Sequence, residues 1–182
     1  MAQRGVKVRA VLQWAKVFEE NRDLTGFKKT PQSEGSYEST KGACTVDIIM
    51  DDDNVNLLKS VGWGRGFKSD PEGRGMLTKA VRKFDTGHDF NSGAPEVFNG
   101  KNNKPWLFDD GELGNGTIAD VYIVVYDTAM GPGSRLDRID VLDHVPHEGI
   151  ASKPVYKSVS YSDTPAPPSA PAVVAVKDEI PF

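Results

Sequence analysis

Trp63, Arg65, Phe67, Lys68 and Arg74 stand among glycines in the stretch GWGRGFKSDPEGRG, and Lys79, Arg82, Lys83 and Phe84 follow it closely. Each residue type has a definite use. An aromatic ring stacks on any nucleobase for about 1–3 kcal/mol. Lysine and arginine neutralise phosphates and release their counterions. Glycine lets a backbone come close to a ligand. Together they are the ingredients of a groove for single-stranded nucleic acid without sequence preference. Two of the aromatics have a second reading: Trp63 can cap a preceding helix against the core, and Phe84 can itself be core.

The other chemically pointed segment is the last one, Asp178-Glu179-Ile180-Pro181-Phe182. It joins two acids, two apolar side chains and a backbone-restricting proline. The α-carboxylate of Phe182 sits beside its ring. Pro181 lowers the entropy lost on docking. A partner pocket that is apolar and rimmed by Arg or Lys can hold ring and carboxylate together.

Charge is unevenly spread. The 182 residues carry a net charge of −4, yet residues 1–16 alone carry +4 and residues 59–83 carry +5. If the fold unites these two segments they form one positive surface in an acidic chain. Otherwise they are solvated faces. Hydrophobic residues make up 38% of the chain, enough for a buried core. No apolar run approaches the roughly 20 residues that cross a bilayer, and Met1 to Arg9 lacks an apolar signal core, so a membrane partner and export are not expected. The expected location is the cytoplasm. Cys44 is the single cysteine, which excludes an internal disulfide.

The elements that must position these residues follow from pattern. Val6 to Phe18 reads as a long first strand, Ala43 to Met50 as a second, Met76 to Asp85 as a third, Thr117 to Asp127 as a fourth and Arg135 to Val145 as a fifth. Between the second and third, Asp51-Asp52-Asp53 precede Val55, Leu57, Leu58 and Val61, the signature of a capped amphipathic helix. Residues 86–116 read as loop. Five strands and one short helix fit a small Greek-key barrel of the oligonucleotide-binding (OB) type. It spans 1–157. A flexible proline-rich linker and the acidic, apolar tip fill 158–182, where the run Asp163 to Pro171 favours extended backbone.

In the first strand, strict alternation puts Trp14 in the core and Arg9 on the outer, ligand-facing side. Long barrel strands often carry a bulge that resets this parity, so Trp14 stays open between core and outer face. Arg9, Trp14 and Lys16 are therefore candidate ligand residues beside Trp63, Arg65, Phe67, Lys68, Lys79, Arg82, Lys83 and Phe84. Trp106 on its loop can stack or anchor. Tyr122 and Tyr126 alternate with Val121, Ile123 and Val125, so one of these two faces is core. The glycine pattern Gly62-x-Gly64-x-Gly66 lacks the strand-to-helix setting of a dinucleotide site, and no cofactor or metal site is expected.

The tip Asp178 to Phe182 closely resembles the C-terminal peptide of bacterial single-stranded DNA-binding proteins, which also place a proline-containing linker before it. The body is instead similar to the single-stranded DNA-binding proteins of tailed bacteriophages. It shares with them a strand running into a helix (Val46 to Leu58) and a glycine turn at Gly114-Asn115-Gly116. A strand from Val121 to Asp127, a small-residue loop from Gly131 to Ser134 and a final strand from Leu136 to Val145 complete the pattern. The resemblance implies an OB fold and sequence-independent binding of single-stranded DNA in replication, recombination and repair. It also implies that the tip recruits enzymes such as polymerase, helicase–primase or nuclease. A homodimer is compatible with it, and no catalytic activity is implied. Two other classes compete: a protein-binding adaptor that uses the tail at replication forks, and a magnesium-dependent nuclease built on Asp51 to Asp53.

Overall fold

The computed structural model describes residues 2–24 and 42–147. The linker and tip at 158–182, and the domain boundary expected at 157/158, lie outside the described residues.

Among the described residues one sheet holds seven strands: β1 (Gln3–Lys16), β2 (Cys44–Met50), β3 (Lys68–Ser69), β4 (Met76–Arg82), β5 (Glu96–Asn99), β6 (Ile118–Thr128) and β7 (Gly131–Asp143). The order across it is β3-β4-β2-β1-β6-β7-β5, antiparallel except for the β5–β7 pair. The five long strands match the five expected from sequence. They form a curled, partly open Greek-key barrel of the OB type. The sequence count of five misses β3 and β5. β5 lies inside the segment read as loop, because a strand of four residues leaves no usable alternation. The first and third strands end two and three residues earlier than expected, at Lys16 and Arg82.

Among the described residues there is one α-helix, α1 (Asp52–Ser60), and it starts as its sequence demands. The Asp51 carboxylate accepts from the backbone N–H of Asn54 at 2.9 Å, and this hydrogen bond holds its pKa below the ordinary aspartate value. Val55 and Leu58, three residues apart, share the buried face. The three aspartates are a helix start, as the capping reading required.

The core is made by inward rows from each long strand. Val8, Ala10 and Leu12 come from β1, and Val46, Ile48 and Met50 from β2. Val121, Ile123 and Val125 come from β6, and Leu136, Ile139 and Val141 from β7. Two bulges change which side chains face outward. In β1 the register passes from Gln13↔Asp47 to Lys16↔Thr45, so β1 holds one extra residue. In β7 it passes from Tyr122↔Arg138 to Ile123↔Leu136, which makes Asp137 the extra residue.

Among the described residues no backbone ladder joins β4 to β7; beside the packing of their side chains in the shared core, Arg82 bridges them. The Arg82 guanidinium donates to the carbonyls of Leu136, Ser92 and Gly93 and pairs with Asp137 at 2.9 Å.

Candidate nucleic-acid interface

The outer face of β1, β6 and β7 is ordered in rows by strand register. Lys7 lies opposite Tyr122, and Tyr122 opposite Arg138, so cation, aromatic and cation form one line across three strands. The Lys7 ammonium sits 5.9 Å from the Tyr122 ring centre and the Arg138 guanidinium 5.6 Å from it on the next strand. Arg138 also lies 4.0 Å from the Phe98 ring and is oriented by Asp140 at 2.7 Å and Asn103 at 2.9 Å. The Asp140 hydrogen bond raises its pKa further. The Tyr122 hydroxyl is pushed up, first by desolvation and then by Asp140, so it stays a neutral donor in the physiological range. The row beside it is Gly5, Val124 and Arg135. Gly5 has nothing within 4 Å of where a Cβ would stand, which leaves that part of the floor flat.

A wall rises along one side. The segment 90–96 carries the exposed Phe90 and Glu96 and the half-buried Ser92 and Ala94 along an open cleft of about 800 Å³. Arg82 holds this wall through the Ser92 and Gly93 carbonyls. Arg135 passes from this cleft into a smaller recess of about 110 Å³, lined also by Arg65, Lys83, Asn91 and Tyr126. The Tyr126 ring lies so close over Gly133 that a Cβ there would come within 2.5 Å of it. Cleft and recess together present six bases against the two carboxylates of Glu96 and Asp137. Arg135 is pinned in a fork by Asp137, and Arg82 shares that carboxylate. Arg65 and Lys83 form no ion pair among the described residues. Burial lowers the Arg65 pKa, with Tyr126 opposing that shift.

The residues singled out from sequence divide among several places. Arg65 and Lys83 come together in the recess, beside Tyr126. Arg82 is next to them, but its donors close the barrel and its side chain is only 11% exposed. It is a positioning residue, which corrects the expectation that it meets a ligand. Trp63 is also corrected: it is 9% exposed, joins the core and donates its indole N–H to Thr78 at 3.2 Å. That is the helix-capping alternative. Phe84 is half-buried beneath the Arg22 guanidinium at 4.1 Å, so one face of its ring is occupied. Phe67 is half-buried against the core with the Lys59 ammonium 5.4 Å from its ring. Lys79 pairs with Asp47 at 2.7 Å, Arg9 with Asp120 at 2.7 Å and Lys16 with Asp23 at 3.6 Å. Lys68 is exposed on β3 and makes no ion pair among the described residues.

Trp14 departs from strict alternation. The β1 bulge places it at φ 50°, a costly backbone for a residue with a Cβ, and turns it 62% exposed. The Asn115 side chain steadies the turn by accepting from the Trp14 backbone N–H at 2.8 Å.

Sequence reasoning missed Lys7, Phe90, Arg135 and Arg138 as members of this surface and left the tyrosines undecided. A signal for the tyrosines was present. Val121, Ile123 and Val125 are all aliphatic, so their face is core and Tyr122 and Tyr126 face outward. For the arginines the sign was subtler: Leu136 and Ile139 are three apart, which only a bulge permits on one face of a strand.

Fold and surface together define a class: an OB-type barrel carrying a basic, aromatic cleft on its outer sheet face. No family model matches the sequence, and no curated protein matches it. Among solved structures the chain is similar to the single-stranded DNA-binding protein from bacteriophage Enc34 (C-terminal truncation), at 12% identity and a TM-score of 0.46, over 80% of this chain and 87% of that one. It is also similar to gp2.5, a single-stranded DNA-binding protein encoded by bacteriophage T7, at 10% identity and a TM-score of 0.48, over 91% of this chain and 99% of that one. Such likeness concerns the course of the backbone, and what this chain binds is decided by its own surface.

Proposed function

We propose that the protein binds single-stranded DNA without sequence preference, in replication, recombination and repair of a phage genome, and recruits partner enzymes through its tip. The cross-strand row Lys7–Tyr122–Arg138 carries this reading. It sets a stacking ring between two phosphate-neutralising cations on a rigid sheet. Tyr126 with Arg65 and Lys83 repeats the combination at the other end of the cleft, and Phe90 offers a further ring at the rim. Rings that bind by stacking select unpaired bases, because bases in a duplex already stack on one another. Trp14 and Lys68 are exposed and extend the candidate surface beyond the cleft. Asp178, Glu179, Ile180, Pro181 and Phe182 form the docking peptide for a polymerase, helicase–primase or nuclease.

Titration with oligo-dT and with duplex of equal length, each at two salt concentrations, tests the DNA half. The expected result is quenched tryptophan fluorescence, a strong preference for oligo-dT and affinity that falls steeply with salt. Equal binding to both forms, or to neither, would rule it out. Removal of Phe182 tests the other half. It is expected to spare oligo-dT binding and abolish capture of replication enzymes.

A further inference from the structure

Across the ridge formed by Ala94 and Glu96 lies a second groove, of about 420 Å³, with the opposite character. Its walls are aromatic. Phe18 and Phe108 meet edge to face at 5.8 Å. Trp106 is fixed by its indole N–H donating to the Gly111 carbonyl at 2.9 Å and by the His144 ring at 4.7 Å. Leu107 stands 63% exposed over the groove, a large apolar side chain on a surface that gains nothing from it in isolation. Among the described residues the charged members of the lining are the four carboxylates of Glu19, Glu20, Glu96 and Asp109. A nucleic acid is repelled from such a place. A chain that presents apolar groups to the rings and cations to the rim is attracted.

We infer that this groove docks an extended, proline-containing, cationic segment of a partner protein. Rigid aromatic walls suit an extended proline-rich backbone, which arrives with little entropy left to lose. The carboxylates supply the charge complementarity that sets orientation and association rate. The groove belongs to the folded barrel and is distinct from the basic cleft, so it gives the barrel a protein contact of its own. The inference stands whether or not the cleft binds DNA.

The test uses the full-length chain and a fluorescent peptide, acetyl-Arg-Pro-Pro-Leu-Pro-Lys-Arg-amide, with a twin in which every base is replaced by glutamate. Binding is followed by anisotropy at low salt. The expected result is saturable binding of the basic peptide and none of the acidic twin. The double variant E19K/E20K is expected to weaken binding about tenfold or more, and Leu107→Ser to weaken it severalfold. All four carboxylates and Leu107 are exposed, so unchanged melting temperatures confirm that both variants fold. Tyr122→Ala, in the cleft, is expected to leave peptide binding alone. The inference is overturned if the basic peptide fails to bind, if the twin binds equally, or if both groove variants bind like the parent. A concentration-dependent dimer that Leu107→Ser dissolves would also overturn it, by assigning the groove to a second copy of the chain.

Discussion

The two grooves share Ala94 and Glu96 as a common ridge and have nothing else in common. One is lined by six bases counting its recess, with tyrosines raised on a sheet. The other holds no base among the described residues and is walled by phenylalanines and a tryptophan. The backbone does not impose this difference. β5 contributes to both walls, and β7 serves the basic cleft through its outward residues while its inward ones build the core. The separation of charge lies in single side chains chosen at outward positions, and a net charge of −4 conceals it. A chain that is acidic overall can thus present a strongly basic surface where its strands align cations in a row.

The sharpest way to break the contrast is to reverse the charge of the cleft. The double variant K7E/R138E places like charge where phosphates are expected to lie. Oligo-dT affinity should fall by more than about 100-fold, several kcal/mol of repulsion, while E19K/E20K in the other groove should leave it within about twofold. Equal losses from both would mean that DNA runs over the ridge rather than along the cleft. Next in size is Arg82→Ala. Its loss leaves three carbonyls and part of Asp137 unsatisfied, and should cost about 2–4 kcal/mol of stability in urea unfolding. The tie between wall and floor goes with it, so the cleft should lose affinity while the basic peptide still binds across the ridge.

Tyr122→Ala should weaken oligo-dT binding by about 1–3 kcal/mol, roughly 5- to 150-fold, with stability little changed. A core change such as Trp63→Phe should show the reverse pattern: a lower melting temperature from the lost Thr78 hydrogen bond, and near-normal affinity per folded molecule. The smallest effect is expected in the recess. Arg65→Gln and Lys83→Gln should each reduce the salt slope of oligo-dT binding by about 0.7. An unchanged slope would confine DNA to the larger cleft.

Much of this frame was legible in the sequence, for identifiable reasons. β2, α1 and β6 followed from apolar periodicity and a capping aspartate, because each is a regular element with one face in the core. Regularity failed at the bulges. One extra residue in β1 turned Trp14 to solvent, and one in β7 put Asp137 between Arg135 and Arg138. Neither β3 nor β5 has enough residues to show a period, and β5 pairs with a strand far along the chain, Glu96 opposite Arg138. Of the candidate site, Arg65 and Lys83 could be singled out because both belong to the basic segment 59–83, while their meeting in one recess comes from the fold. The row Lys7–Tyr122–Arg138 could not, since its members are brought together only by long-range register. Trp63 and Arg82 had the right chemistry for a ligand but are used inside the fold.

The way Arg82 fastens the barrel bears on how the molecule breathes. Every other neighbouring pair of long strands is laced by a backbone ladder, so parting them breaks many hydrogen bonds at once. Between β4 and β7 the hydrogen bonding across the seam comes from the Arg82 guanidinium, beside side-chain packing in the shared core. Amide exchange should therefore begin along this line, with the flanks of the seam opening far below the free energy of global unfolding. The same event frees the wall of the basic cleft. The cylinder is in effect a ribbon with a clasp, and the clasp sits at the wall of the basic cleft.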